Sequence, residues 1–398
     1  MHILIIPSWY PAHHNDINGV FFREQALALV NHGFKAGVIY PKLDPLKKWK
    51  KIFTGKYGIE QEIDLGLPTL RAYGLAWLPL IPGGKRWLWL RQGRALFDRY
   101  IEQYGTPDVI HVHSMLNAGI LAFEIKRNYG IPYIVTEHAS WYARDLLTPE
   151  QLKISSVVAR DAYRRIAVSQ TFCALLENRL SLENGDWQEI PNIVDARFLQ
   201  RPLTVQKKTG DCFRFISIAI LKENKKIDNL IMAFANAFRG VPLVTLDIGG
   251  DGPERESLEA LAKHLGIGRR VRFLGALTRD QVADAIAASD VFVLSSRQET
   301  FGVVVIEALA LGKPVIATRC GGPESIIRPK EGVLVANDNV AALAEAMQRL
   351  RSVFHDFSPG IIREGCRSRY SEQAVIERLS QVYHDALSKS SNSKIASQ

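Results

Sequence analysis

Residues 291–307 read VFVLSSRQETFGVVVIE, and this run of strand, polar loop and helix start decides the fold. Val291 to Leu294 is a short apolar run of the kind buried on both faces of a parallel sheet. Ser295-Ser296-Arg297 ends it, and a helix is expected from about Gly302. In such a turn the backbone N–H groups of Phe301 to Val304 point out of a helix N-terminus, which makes an anion site. Glu299 and Glu307 flank that site with seven residues between them. A phosphate would repel both carboxylates, so hydroxyls are their natural partners: a ribose on one side, a sugar on the other. A solvated loop glutamate and an unrelated helical one would show the same spacing.

Outward from this segment, short apolar runs alternate with amphipathic stretches, which argues a parallel α/β sheet. Strands are expected at Phe213 to Ala219, Leu243 to Ile248, Val271 to Leu274, Val315 to Ala317 and Val333 to Val335. An earlier series starts at His2 to Ile6, with strands at Lys35 to Tyr40, Val109 to Val112, Tyr133 to Thr136 and Arg165 to Val168. Helices are expected at Phe22 to Val30, Arg86 to Tyr104, Leu116 to Tyr129 and Pro149 to Tyr163, and from Gln170. Pro191 to Gly210 has no period and reads as a linker. The expectation is two Rossmann-like domains, 1–195 and 196–375, then a helix end at 376–387 and a disordered Ser/Asn-rich tail at 388–398.

Composition narrows the class. With 398 residues, 47% of them apolar, the chain can bury two or three cores and is not disordered. No apolar run approaches the ~20 residues a bilayer needs, and Met1-His2 leads straight into a strand rather than a secretory leader. Cys173, Cys212, Cys320 and Cys366 form no C-x-x-C, so a cytoplasmic, reducing location is expected. The net charge of +9 is uneven: Lys35 to Arg99 holds 13 Lys/Arg against 5 Asp/Glu. Its clusters, Lys47-Lys48-Trp49-Lys50-Lys51 and Lys85-Arg86-Trp87-Leu88-Trp89, mix cations with Trp, which suits an anionic membrane surface better than nucleic acid. A solvated helix face whose Trp residues pack inward would read alike.

Several further motifs carry a resemblance. They are Gly249-Gly250-Asp251-Gly252-Pro253-Glu254, Val271-Arg272-Phe273-Leu274-Gly275, Ala308 to Val315 and Gly321-Gly322-Pro323-Glu324, together with the E-x7-E pair. In this order they resemble the retaining glycosyltransferases of GT-B fold, and family 4 in particular. The resemblance implies two Rossmann-like domains facing across a cleft, with the C-terminal helix crossing back to the first domain. It implies that Glu307 binds the nucleotide ribose. Glu299, Gly250 and the backbone of Phe301, Gly302 and Val303 would hold the donor sugar and diphosphate. Lys225 matches the lysine of the family's G-R-L-x-x-E-K-G-x-D segment, but Ala219 and Ile220 stand where many members have Gly and Arg. Lys222 or Lys226 could fill that gap, without the bidentate fork of a guanidinium.

In the first domain, Asn18-Gly19-Val20 opens a helix, where a glycine backbone can approach a donor phosphate, or the acceptor. Thr136-Glu137-His138 resembles the family's active-site segment and implies that His138 meets the donor sugar as a catalytic residue with Glu299. His113 and Glu137 are candidate acceptor-cleft residues. His111 and His113 share a strand face but have no acidic ligands at metal spacing, and the chain has no Asp-x-Asp. No metal and no cofactor are expected. The expected reaction transfers a hexose from a nucleoside-diphosphate sugar to a hydroxyl of a lipid-linked glycan, with retention. A UDP-sugar is preferred and a GDP-sugar possible. Resemblance of the first-domain start, Ile6 to Pro11, to enzymes of bacterial polysaccharide assembly implies peripheral binding at the inner face of the plasma membrane. Two other readings remain: a non-hydrolysing UDP-sugar 2-epimerase, separable by product analysis with donor alone, and a basic nucleic-acid binder. Charge outside 35–99 is nearly balanced and no RNA-binding aromatic motif occurs, so no nucleic-acid partner is expected.

Overall fold

The computed structural model describes residues 1–12, 19–49, 57–78, 81, 83–183, 185–203 and 212–395, with side chains to 388. Two compact units divide the chain. The first comprises Met1–Val168, Cys173–Ile190 and Val375 onward; the second comprises Ser169–Phe172 and Pro191–Ala374.

In the first unit the chain runs β1 (His2–Pro7), α1 (Val20–Asn31), β2 (Lys35–Pro45), β3 (Gly58–Asp64), β4 (Leu67–Ala76), α2 (Gly84–Tyr104) and β5 (Val109–His113). It continues as α3 (Ile120–Tyr129), β6 (Tyr133–Glu137), α4 (Pro149–Asp161), β7 (Arg164–Ala167), α5 (Gln170–Leu180) and β8 (Trp187–Glu189). The sheet order is β3-β4-β2-β1-β5-β6-β7-β8, parallel throughout except for β3 on β4. Ile3 to Ile6 are fully buried, as a parallel strand covered on both faces requires.

The β3–β4 hairpin escapes a search for apolar runs. Its edge strand is Glu60-Gln61-Glu62-Ile63-Asp64, and charged edge strands resist pairing with other chains. Leu65 and Gly66 make the turn, both at positive φ, with no Asn-Gly to announce it. The hairpin also consumes positive charge. Arg71 is buried, with Nε donating to Glu62 at 2.5 Å, Nη1 donating to the Pro11 carbonyl at 2.7 Å, and its guanidinium over the Tyr10 ring. Arg94 forks onto Glu124 and Arg86 meets Glu150, so the surface excess is smaller than the count over 35–99. Lys50, Lys51 and Lys56 of that window lie outside the described residues.

The second unit holds α6 (Ala196–Gln200), β9 (Phe213–Ile218), α7 (Ile227–Phe238), β10 (Val244–Gly249), α8 (Arg255–His264), β11 (Val271–Gly275) and α9 (Arg279–Ala287). Then come β12 (Val291–Leu294), α10 (Val303–Ala310), β13 (Val315–Thr318), α11 (Gly322–Ile326), β14 (Gly332–Val335), α12 (Val340–Ser352) and α13 (Pro359–Tyr370). Its sheet, β11-β10-β9-β12-β13-β14, is wholly parallel. The order reverses between β9 and β12, where connections leave in opposite directions and open a crevice at the strand ends. Both units are therefore Rossmann-like.

Three boundaries differ from the expectation. Residues 191–195 and 169–172 go with the second unit, because Asp195 caps α6 and Ser169 donates to the Thr300 carbonyl. Residues 388–395 of the tail expected to be disordered continue α14 (Glu372–Ile395), since adding residues to an existing helix costs little. That helix belongs to the first unit from Val375 on, with Val375, Leu379, Val382 and Tyr383 buried. The Tyr383 hydroxyl is hydrogen-bonded to His111 Nδ1 at 2.7 Å. Tyr383→Phe strands that buried nitrogen, and is expected to lower the unfolding free energy of the first unit by about 1–3 kcal/mol in urea titration.

Candidate active site

The site in the second unit is built at the β9/β12 reversal by two loops that meet through backbone. The Glu299 N–H donates to the Cys320 carbonyl at 2.8 Å, and the Gly322 N–H donates to the Glu299 carbonyl at 2.9 Å. A Cβ at position 322 would lie 2.1 Å from the Phe301 oxygen, so only glycine allows this approach. The contact fixes Phe301, whose buried ring packs edge-on to Tyr370, and then Gly302, which starts α10 at φ 99°. The Val303 and Val304 amides open α10 with no acceptor inside the helix and lie at the crevice end of the sheet, while the Val305 amide donates to the Gly302 carbonyl at 2.9 Å.

Side chains gather around this frame. Lys225 follows β9 in a short turn, and its Nζ donates to Glu299 Oε1 at 2.6 Å. Ser296 Oγ donates to the same oxygen at 2.7 Å, and Ser295 Oγ donates to the Lys225 carbonyl. Lys225 and Glu299, 74 residues apart in the chain, thus form one partly exposed pair. Ile220 is half exposed, and Lys226 lies in the field of Asp338, which pairs with Arg297 at 2.9 Å. Gly250 at φ 121° lies on the β9 loop, where a Cβ would come 1.8 Å from the Ala219 oxygen. Glycine there packs the β10 loop against the segment that leads to Lys225.

Glu307 is fully buried on α10. Its Oε1 accepts from Arg279 Nη1 at 2.5 Å, while its Oε2 has no partner in the chain. Burial pushes this carboxyl up and Arg279 draws it back. Arg279 itself lies 3.7 Å from Asp195 and over the Phe198 ring. No motif in the sequence points to Arg279; it follows the β11 loop with nothing but its charge to mark it.

In the first unit the expected residues collect at the ends of β5 and β6. His113 Nδ1 is hydrogen-bonded to His138 Nε2 at 3.1 Å, and His111 Nε2 to Thr136 Oγ1 at 2.7 Å. Gly19 starts α1 at φ 74°, which brings Phe22 onto both His113 and His138; Asn18 lies outside the described residues. Burial pushes His111 and His138 down to about 3 and His113 well below its ordinary value, so all three rings are neutral near pH 7. The expectation that His113 and Glu137 line a cleft is not met, because both are completely buried. Glu137 instead accepts from the Met115, His138 and Ala139 amides at 2.8–2.9 Å and so holds the loop that carries His138. Burial raises its carboxyl to about 7 against those three hydrogen bonds. Trp141, half exposed, touches Trp9, and Trp9 touches Phe22, an aromatic row that the motif reading did not single out. Among the described residues no group of three His, Cys, Asp or Glu could hold a metal ion.

Comparison with known proteins bears on both units. The profile described as Glycosyl transferases group 1 matches residues 204–352, and that described as Glycosyltransferase Family 4 matches residues 19–198. The chain is 29% identical over 368 residues to a putative teichuronic acid biosynthesis glycosyltransferase of Bacillus subtilis, covering 88% of this chain and 89% of that one. It is 29% identical over 307 residues to N-acetyl-alpha-D-glucosaminyl L-malate synthase of Bacillus anthracis, covering 74% and 79%. Among solved structures, Anabaena HepE in complex with UDP and glucose superposes with a TM-score of 0.69 at 18% identity, over 97% of this chain and all of that one. That likeness concerns the fold.

The two-loop contact gives a test of the frame. Gly322→Ala is expected to cost about 1–3 kcal/mol of second-unit stability by overpacking. Gly268→Ala, whose added methyl finds only ordinary contacts, is the control and should leave urea unfolding unchanged.

Proposed function

The chain belongs to glycosyltransferase family 4, and as a member we propose that it moves a hexose from a UDP-sugar to a hydroxyl of a lipid-linked glycan, with retention, in cell-surface polysaccharide synthesis. The observation that carries this is the Lys225–Glu299 pair set beside the first turn of α10, with the unpartnered Glu307 oxygen on the same helix. The donor diphosphate takes the α10 amides and competes with Glu299 for the Lys225 ammonium. Glu299, released in part, accepts from hydroxyls of the transferred sugar. Glu307 Oε2 accepts from the ribose. Support for uridine as the base comes from solved relatives of this fold, such as Anabaena HepE, that hold UDP or UDP-glucose. Support for a glycan acceptor comes from relatives named for teichuronic acid and lipopolysaccharide core synthesis.

In the reaction we propose, the acceptor oxygen bonds to the anomeric carbon on the face that the diphosphate leaves. The carbon–oxygen bond to phosphate breaks, its electron pair stays on the diphosphate, and a phosphate oxygen takes the acceptor proton. The protein's share is charge stabilisation of the leaving group and orientation of both reactants, with Lys225 and the α10 amides in the place of a divalent cation. His138, neutral in its buried setting, hydrogen-bonds the sugar without adding charge.

Glu299→Gln is expected to lower kcat by about 10²-fold or more while UDP binding is kept, as expected for a group whose interaction strengthens during transfer. Glu307→Ala should weaken UDP binding in calorimetry by about tenfold, the scale of a hydrogen bond to a charged group, and leave 2′,3′-dideoxy-UDP unaffected. Equal UDP affinity in wild type and Glu307→Ala would refute the ribose assignment.

We also propose peripheral docking to the anionic inner face of the membrane. Among the described residues no helix is long and apolar enough to cross a bilayer. Trp49, Trp77 and Trp87 are about half exposed, with Lys47 and Lys48 near Trp49 in the chain and Lys85 near Trp87, and each basic residue near such a surface contributes about 1 kcal/mol. Sedimentation with phosphatidylglycerol vesicles should fall at high salt and in Trp87→Ala. Equal binding to neutral vesicles would sink the idea.

A further inference from the structure

Glu307 presents an uncommon arrangement: a carboxylate sealed inside the fold, with one oxygen taken and the other vacant. A buried ionised carboxylate is costly unless both charge and lone pairs are answered. Here the charge is answered from one side only. Arg279, the first residue of α9, places Nη1 on Oε1 at 2.5 Å. Its other flank is held by Asp195 at 3.7 Å and by the Phe198 ring, 5.0 Å from the guanidinium carbon. Asp195 in turn caps α6 and pairs with Arg197 at 2.8 Å. Three elements, α6, α9 and α10, thus converge on one guanidinium.

We propose that Arg279 is a positioning residue for nucleotide binding: it anchors Oε1 of Glu307 and thereby leaves Oε2 as the oxygen that accepts from the donor's ribose. This rests on the assignment of Glu307 to the ribose. A carboxylic acid would present a proton where the ribose hydroxyl needs an acceptor, so ionisation of Glu307 and its aim are one requirement. Burial raises the Glu307 carboxyl, Arg279 lowers it, Asp195 raises it and Arg197 lowers it. The other neighbours of α10 are turned elsewhere. Glu324 of α11 accepts from the Gly321 amide, Arg363 of α13 donates to the Ala310 carbonyl, and the Cys366 thiol donates to the Ile306 carbonyl. Removing the guanidinium therefore leaves burial opposed only by the smaller pull of Arg197. The sign follows: without Arg279 the carboxyl is protonated to higher pH, ribose recognition is weak at neutral pH, and it returns as pH rises.

The test is calorimetric titration of UDP and 2′,3′-dideoxy-UDP into wild type, Arg279→Met, Arg279→Lys and Glu307→Ala, from about pH 6 to about pH 9. Wild type should bind UDP with little change across the range. Arg279→Met should bind UDP about tenfold more weakly at the acid end and recover toward the alkaline end, while its affinity for dideoxy-UDP matches wild type. Arg279→Lys keeps the charge without the fork, and should lie between the two with a flatter profile. UDP affinity equal to wild type in Arg279→Met overturns the proposal, as does an equal, pH-independent loss for both nucleotides, which marks a purely structural role. If Arg279→Met does not fold, Arg279→Lys decides: weakened UDP binding with dideoxy-UDP binding kept supports the proposal, and wild-type affinity for both nucleotides or equal loss for both overturns it. Should Glu307→Ala bind UDP as wild type does, the ribose assignment itself fails; should Glu307→Ala weaken UDP and Arg279→Met not, only the role of Arg279 fails.

Discussion

The second unit depends on the backbone contact between the Glu299 loop and the Gly321-Gly322 turn. Two hydrogen bonds and the absence of two side chains let the ends of β12 and β13 touch beyond the sheet. From that contact the Glu299 side chain is turned toward Lys225, Phe301 is buried, and α10 starts at a set point and direction. The position of Glu307, about one turn on, is then a matter of helical geometry, at 1.5 Å and 100° per residue. Helix-start amides and carboxylates are separate chemical devices, but here one loop closure places both. This is why the glycines of the turn matter as much to the site as the charged residues do.

The first unit solves a different problem. Its three imidazoles are assembled without charge, and the carboxylate nearest to them is spent on backbone amides. A neutral His138 cannot act as a cation, and in the proposed reaction the diphosphate is met by Lys225 and the helix amides instead. The contrast is one of charge: Lys225 and Glu299 form an ion pair in the second unit, while the first unit's clustered imidazoles are neutral in a low-dielectric setting.

Much of this was legible in the chain. The parallel strands are apolar runs, and the glycine of the E-x7-E segment marked the helix start, which the structure places at Val303 after Gly302. What escaped did so for physical reasons. The β3–β4 hairpin is an edge element, so its strand is charged rather than apolar. Arg71 counted as surface charge because sequence cannot show that Glu62, Pro11 and Tyr10 surround it. Glu137 adjoins the motif residue His138 in the chain and His113 ends a strand, which drew both into a cleft, whereas burial makes them supports. Arg279 and Tyr383 reach their partners across 28 and 272 residues, and nothing local encodes such a meeting.

The return of α14 to the first unit has a consequence for how the protein is made. Synthesis proceeds from the N-terminus, and domains commonly fold as they emerge. Here the second unit is complete once Ala374 has left the ribosome, while the first still lacks Val375, Leu379, Val382 and Tyr383. The earlier-made half is therefore the later one to close. Through translation of the whole second unit, the nascent first unit carries an uncovered apolar face and a His111 without its hydroxyl partner, which makes that interval the one in which a chaperone has most to protect.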